Sequence, residues 1–362
     1  MPDLGSGPLF REAQEADKES IIALSREVHK ETRSIRSREP FDEKQWVWLN
    51  WEDGPIPGFI TIAEDGGKVC GVFPMRARLI SVNGRPVEAG VVQGLVTEQT
   101  HRRQGVFTKM GLRALEVAPS HGIGLSYAFP NNRSVAGFTG RLGYRLIATI
   151  PVYLKLHPLA WLAARLGRAV WRRDQTPDQQ GEFPQPAEEG WRIAPVREFD
   201  SRFQRLWESV RSANKVSLIR DPAYLTWRFG PGAAHRYHAL ACARDGQVEA
   251  YVVYRMAGIL SLRVCVIVDF LSTEGSFVGL MSLLGCIDRI ARREGAVATL
   301  VAFQAQTDIV SVFKKAGFIA VTQRWNIRPL NLVARGLGGS VQEDELVDPS
   351  RWFVTLADWD VL

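Results

Sequence analysis

No two of the four cysteines, Cys70, Cys242, Cys265 and Cys286, stand at the spacing that a metal site or a redox pair requires. Three fall in apolar stretches, which reads as buried free thiols in a reducing compartment rather than a disulfide frame. The six histidines form no metal pattern, and His235 and His238 lack partners at a recognisable spacing. No apolar run reaches the roughly 18 residues of a membrane span. The opening MPDLGSGPLFREAQEADKES is polar, with no signal-peptide core. Long Lys/Arg runs and nucleic-acid-binding motifs are missing too. The net charge of +6 is modest for 362 residues, so it suits an anionic ligand without calling for nucleic acid. These absences leave a folded cytoplasmic protein as the expectation, with no metal, no nucleic-acid partner and no stable membrane insertion. Apolar residues at 46% supply a sizeable core, and the length suits two domains better than one.

The most informative stretch that is present is VVQGLVTEQTHRRQGVFTKMG, residues 91–111. An alternating apolar run ends at Thr97, a short polar turn follows, and a helix opens with Val106, Met110, Ala114 and Val117 on one face. A strand feeding a basic, glycine-bearing turn at a helix N-terminus is a device for holding phosphate. First-turn amides have no intrahelical acceptor, and the dipole favours an anion there. Gly105 carries no side chain to keep a ligand off the backbone. The next segment, GIGLSYAFPNNRSVAGFTGRLGYRLI, reads as a strand over 123–129, a Pro-Asn-Asn break with Asn131 or Asn132 as helix cap, a short helix, and a strand begun by Gly143-Tyr144.

Together these segments resemble the GNAT superfamily of acetyl-coenzyme A-dependent acetyltransferases. The family's Q/R-x-x-G-x-G/A phosphate motif is matched by Arg102-Arg103-Gln104-Gly105-Val106-Phe107, and its later Asn–helix–Gly-aromatic motif by Asn132 through Gly143-Tyr144. The resemblance covers about residues 10–155. Phe107 departs from the family's Gly or Ala, and Thr139 stands where many members place a tyrosine that protonates the departing thiolate.

An internal repeat runs beneath the motif. Trp46-Val47-Trp48-Leu49 followed by a strand with an Asp65-Gly66-Gly67 turn is echoed by Tyr224-Leu225-Thr226-Trp227 and a strand with Asp245-Gly246. At an offset of 174, Gly143 maps to Gly317 and Gly105 to Gly279, but Ser276-Phe277-Val278-Gly279-Leu280-Met281 holds no basic residue. The expected architecture is α/β (α+β): two tandem GNAT-like domains, each a twisted, mixed and mainly antiparallel sheet flanked by helices. The expected divisions are a cofactor-bearing domain over 8–155, an amphipathic helix and linker over 156–190, a degenerate copy over 191–330 and a tail over 331–362. Tandem copies with one active half resemble the enhanced-intracellular-survival acetyltransferases, whose further sterol-carrier-like domain this chain has no length for; aminoglycoside activity is therefore not carried over. HPLAWLAARLGRAVWRR is expected to pack on a domain or a partner subunit rather than on a membrane.

The resemblance implies acetyl-coenzyme A as cofactor. Leu95, Val96 and Thr97 would meet the pantetheine arm, with the Thr97 amide toward the thioester carbonyl. The amides of Arg103 to Phe107 would take the pyrophosphate, with charge from Arg102 and Arg103, and Asn132 would stand on the cofactor side. Glu98 is the candidate base and Tyr127, in the next strand, the candidate acid. Trp46, Trp48 and Trp51 are candidates for the acceptor side. The leading expectation is acetyl transfer to a primary amine of a small molecule or amino sugar by direct attack in a ternary complex. A non-catalytic acyl-coenzyme A-binding scaffold and a FemAB-like aminoacyl transferase are the alternatives. Oligomeric state is open.

Overall fold

The computed structural model describes residues 7–32, 41–52, 54–165, 190–213, 215–233, 235–259, 262–273, 277–321, 329–339 and 341–359. In chain order the first part contains β1 (Leu9–Glu12), α1 (Lys18–Thr32), α2 (Glu43–Asn50), β2 (Phe59–Asp65), β3 (Lys68–Val82), β4 (Arg85–Val92), β5 (Val96–Thr97), α3 (Val106–Val117), β6 (Leu125–Ala128), α4 (Val135–Arg141) and β7 (Arg145–Ile150). Then follow β8 (Val152–Leu156), α5 (Pro158–Arg165), β9 (Trp191–Pro195), α6 (Ser201–Val210), β10 (Val216–Leu218), α7 (Pro222–Phe229), β11 (His238–Arg244), β12 (Gln247–Ile259) and β13 (Leu262–Ser272). The last are α8 (Val278–Arg293), β14 (Ala298–Ala302), α9 (Thr307–Lys315), β15 (Ile319–Ala320), β16 (Leu330–Gly336) and β17 (Trp352–Phe353).

Two compact units result. The first comprises Met1–Val82, Pro86–Thr149 and Leu330–Asp348; the second comprises Asn83–Arg85, Ile150–Pro329 and Pro349–Leu362. In the first unit the strands run β1-β2-β3-β4-β6-β16-β7, with β4 and β6 parallel and the β1–β2, β2–β3 and β6–β16 pairs antiparallel. Gly66 and Gly67 are both left-handed, the turn that a right-twisted two-residue hairpin requires. Asp42 caps α2 by accepting the Gln45 N–H at 3.0 Å. One sheet face carries α3 and α4 over Phe73, Met75, Met110, Phe138 and Tyr144. The other carries α1 and α2 over Ile21, Trp46, Ile60, Ile62 and Val72.

The second unit's sheet runs β15-β8-β14-β13-β12-β11-β9, with β13 and β14 parallel and β8 antiparallel to both neighbours. The repeat is visible element by element: hairpins β2–β3 and β11–β12, helices α2 and α7, then α3 and α8, α4 and α9. Gly143 and Gly317 are both left-handed. Yet the units are not contiguous. β8, which the sequence suggested as the close of the first domain, lies between β14 and β15; β16, from the far end of the chain, lies between β6 and β7. The first sheet thus takes β16 from outside its own run of sequence, whereas the strands of the second sheet all lie within Ile150–Pro329.

All four cysteines are buried and none forms a disulfide, and burial pushes the Cys242 and Cys265 thiols up to about 12. No helix among the described residues is long and apolar enough to cross a membrane.

The second unit buries a charged network. Arg220, fully buried, donates to Asp269 at 3.0 and 3.2 Å, to the Leu218 carbonyl, to Thr355 and to Asp358 at 3.1 Å. Tyr251 donates to Asp269 at 2.7 Å, and Tyr224 to the Ala357 carbonyl at 2.8 Å. These bonds fix residues 353–358 to the core. Two carboxylates share one guanidinium, and burial lifts Asp358 from 3.8 to about 6. The folded state then keeps a proton that the unfolded chain has released. This group's contribution is fully present below its unfolded value and is lost as pH rises through about 6. Asp358→Asn keeps the hydrogen-bonding shape without titrating. In denaturant unfolding, the variant should gain on the wild type by about 2–3 kcal/mol between pH 4 and pH 8. A difference that stays flat or moves the other way would show that Asp358 is ionised throughout.

Candidate functional site

β4 runs beside β6 as far as Val92 opposite Ala128, and there the strands part. Gly94 adopts a left-handed backbone (φ 68°), and β5 resumes by pairing Val96 with Val72 and Thr97 with Gly71 of β3. Among the described residues β5 has no strand on its other side. Half-buried backbone groups of Leu95, Val96 and Thr97 therefore border a gap, and such groups need partners. An extended ligand carrying amides fits that edge.

Beyond β5 the chain turns through Glu98–Gly105. Arg103 (φ 64°) and Gly105 (φ 79°) are both left-handed, which turns nearby N–H groups toward one concavity. The Lys109 N–H donates to the Gly105 carbonyl at 3.0 Å, so the amides of Val106, Phe107 and Thr108 have no acceptor within α3, and no side chain caps them. A Cβ on Gly105 would meet nothing within 4 Å. The mouth of the helix is thus open, uncapped and at the positive end of the dipole, which fits a pyrophosphate. The Thr108 hydroxyl, buried in the same turn, has no hydrogen-bond partner among the described residues.

The side chains of the turn divide their work. Arg102 donates to the Thr97 carbonyl at 3.0 Å and to Glu31 of α1 at 2.6 Å, so it braces the turn. Gln104 donates to the Thr100 carbonyl at 2.7 Å. Arg103 is exposed and makes no ion pair among the described residues. Glu98 accepts from Lys68 at 2.5 Å and Thr100 at 3.2 Å, and lies 2.8 Å from His101 Nδ1; His101 Nε2 faces Asp65 at 3.0 Å. The Lys68 hydrogen bond holds the Glu98 carboxyl below the usual carboxylate range. The β2–β3 hairpin, through Asp65 and Lys68, therefore grips the turn.

Phe107 has its reason in α4. Its ring lies edge-on to Phe138 at 5.5 Å, and a Cβ on Gly137 would stand 2.9 Å from it. The bulk added at Phe107 is accommodated by a glycine one turn into the facing helix. Asn131, not Asn132, turns the chain into α4, accepting from the Arg133 and Ser134 amides at 2.9 and 3.2 Å. Asn132 instead accepts from Asn331 of β16 at 3.0 Å. Thr139 gives its hydroxyl to the Val135 carbonyl at 3.1 Å.

Tyr127 is 1% exposed in β6, opposite Val91. Strand alternation sets it on the face away from Ala128 and the α3–α4 core, toward the side that carries α1 and α2. On that side Trp46 is core, and Trp51 donates to Glu15 at 2.9 Å. Asn50 was not singled out by the sequence. It is 3% exposed, donates Nδ2 to the Trp46 carbonyl at 3.0 Å, and leaves Oδ1 without a partner among the described residues. Asn50 Oδ1 and Trp46 Nε1 come within 3.4 and 3.6 Å of where a Gly94 side chain would begin. No group of metal-ligating residues occurs among the described residues.

In the second unit the equivalent glycine does not precede the helix. Gly279 lies inside α8, and a Cβ there would meet the Trp191 ring at 3.0 Å. Residues 274–276, at the matching turn, lie outside the described residues.

Residues 10–147 match the family model described as an acetyltransferase (GNAT) domain. No curated protein matches the chain in sequence. Among solved structures, a conserved protein from Enterococcus faecalis described as a probable N-acyltransferase aligns with TM-score 0.62 at 12% identity, over 92% of this chain and 73% of that one. A GCN5-related N-acetyltransferase from Anabaena variabilis aligns with TM-score 0.62 at 11% identity, over 91% and 73%. A tandem GNAT protein from the clavulanic acid biosynthesis pathway aligns with TM-score 0.57 at 15% identity, over 92% and 100%. At these identities the likeness is one of fold.

If Gly137 makes room for Phe107, the two positions are coupled. Gly137→Val should cost roughly 1–3 kcal/mol by overpacking, and much less in a Phe107→Ala background. Denaturant unfolding of the double-mutant cycle should give a coupling of at least about 1 kcal/mol. Additive effects would mean that the ring yields freely.

Proposed function

On the premise that residues 10–147 form a GNAT acetyltransferase domain, we propose that the chain transfers an acetyl group from acetyl-coenzyme A to a primary amine of a small molecule or amino sugar. The observation that carries this reading is the open, left-handed, uncapped mouth of α3 at Gly105, directly after a strand edge that has lost its neighbour. Acetyl-coenzyme A, when bound, supplies an activated thioester whose carbonyl carbon accepts the amine as the C–S bond breaks.

The chain's part is to bind, orient and move protons. The amides of Arg103 to Phe107 take the pyrophosphate, with the Thr108 hydroxyl as a further donor, while exposed Arg103 adds charge. The Leu95–Thr97 edge receives the pantetheine amides, and the Thr97 N–H polarises the thioester carbonyl. Asn132, with Asn331 behind it, lines the cofactor side. Asn50, with its spare buried oxygen, is positioned to accept a hydrogen bond from the incoming amine. Tyr127 donates the proton that the departing sulfur needs. Glu98 follows Thr97 directly in the chain, but its bonds to Lys68, Thr100 and His101 support a role in holding the turn. A non-catalytic acyl-coenzyme A-binding protein is the second reading, favoured by the Thr139 hydroxyl being spent inside its own helix.

Titration calorimetry of acetyl-coenzyme A should give one site, lost by at least a hundredfold in Gly105→Glu, where a carboxylate meets the pyrophosphate. Binding by neither protein, with both folded, would remove the acetyl-coenzyme A reading. Coenzyme A release on presenting amines separates the enzyme from the scaffold.

Two variants divide the remaining roles. Tyr127→Phe should leave binding intact and lower kcat by about a hundredfold, within the usual range for a general acid. Glu98→Gln should weaken acetyl-coenzyme A binding several-fold and leave the pH profile of kcat in place. The reverse pattern would make Glu98 the base and Tyr127 a core residue.

A further inference from the structure

The geometry points to His101 as a positioning residue whose charged form holds the turn between β5 and α3. The imidazolium joins Glu98 to Asp65, and losing its proton frees one of them and slackens the turn. The consequence for ligand binding rests on the acetyl-coenzyme A reading above.

The ring of His101 lies between two carboxylates. Nδ1 is 2.8 Å from Glu98 Oε2, and Nε2 is 3.0 Å from Asp65 Oδ2. An ionised carboxylate accepts hydrogen bonds and donates none, whereas a neutral imidazole carries one N–H and one bare nitrogen. With the hydrogen on Nε2, bare Nδ1 faces Glu98; with it on Nδ1, bare Nε2 faces Asp65. Either neutral form sets a lone pair against a carboxylate. Thr100 does not relieve this. Its hydroxyl lies 3.0 Å from Nδ1 and 3.2 Å from Glu98 Oε2, and its single hydrogen serves one or the other. The imidazolium, with two N–H groups, suits both carboxylates at once.

The surrounding charges leave this role to the ring. Lys68 of the β2–β3 hairpin is bonded to Glu98 at 2.5 Å and holds that carboxyl below its usual range. Arg102 is directed to the Thr97 carbonyl and to Glu31 of α1, and Glu27 of α1 acts on Lys68. Burial pushes the thiol of Cys70, in β3, up, so it stays uncharged. Among the described residues, the Asp65 carboxylate thus looks to His101 for its cation. Glu98 is anchored twice more, by Lys68 and by its own N–H, which donates to the Cys70 carbonyl at 2.9 Å. Asp65 is 48% exposed, so it is the carboxylate that swings away when the proton leaves. The hairpin then loses one of its two holds on the turn, directly before the amides of Arg103 to Phe107.

Calorimetry of acetyl-coenzyme A with the full chain tests this from about pH 5.5 to about pH 8.5, the range in which imidazole charge changes. The comparison with His101→Gln at each pH cancels the ligand's own ionisation. The wild type should bind about threefold tighter than His101→Gln at the acid end, as a partly exposed ion pair supports, and the two should converge at the alkaline end. Asp65→Asn offers an amide N–H to bare Nε2, so its affinity relative to His101→Gln should not change with pH. A constant ratio of wild type to His101→Gln, or a wild-type response kept in Asp65→Asn, would overturn the proposal. Amide hydrogen exchange of residues 98–105 in the ligand-free protein, corrected for the chemical rate, reads the clamp without the ligand. It should show added opening at the alkaline end in the wild type and none in Asp65→Asn; equal opening in both would overturn the clamp. Absence of binding by every form would remove the acetyl-coenzyme A reading, while the exchange result still decides the clamp.

Discussion

A β-strand cannot leave its neighbour without exposing a row of backbone groups, and the first unit does this at one place. After Val92 the chain abandons β6, passes the left-handed Gly94 and pairs only with β3. The left-handed turn and the uncapped start of α3 follow directly on the break. The edge it opens is extended and hydrogen-bonding, and the turn that follows delivers three unsatisfied amides to its end. A gap of this kind survives only if its walls are rigid, since otherwise the strands would close and satisfy each other. The turn beside the gap is held by side-chain bonds. Arg102 ties the turn to Thr97 and Glu31, and Lys68 and Asp65 tie it to the hairpin through Glu98 and His101.

The first-unit motif was legible in the sequence because it is local. Gly105, the alternating run before it and the amphipathic run after it lie within about one strand, turn and helix, where spacing reports geometry directly. Roles that depend on distant partners were not legible. Glu98 reads as a free carboxylate before a helix until Lys68, from a hairpin thirty residues upstream, is brought against it. Asn131 and Asn132 read alike as caps; Asn131 makes the turn, while the partner of Asn132 is Asn331, 199 residues away. Phe107 reads as a departure from a small-residue motif; the compensating Gly137 is visible only once α4 lies against α3.

The course of β8 and β16 was hidden for the same reason. Any sequence division is contiguous, and the two units are not. A short apolar strand such as Val152–Leu156 carries no mark of the sheet that will take it, since its hydrogen bonds are those of any strand. The repeat itself was readable because hairpin turns and left-handed stops recur at the same offset. It failed at Gly279, where an equivalent glycine sits inside a helix rather than before one.

The two copies place their charges in opposite ways, and this explains how they diverged. In the first unit, cations and carboxylates brace a surface turn, where water screens them and their geometry matters more than their energy. In the second, Trp191 fills the space over the helix start, and the strongest polar grouping moves inside, around Arg220. Burying one guanidinium with Asp269 and Asp358 gains little net stability, because desolvation offsets most of the attraction. What it supplies is a single arrangement for residues 353–358, which no apolar contact could dictate so narrowly.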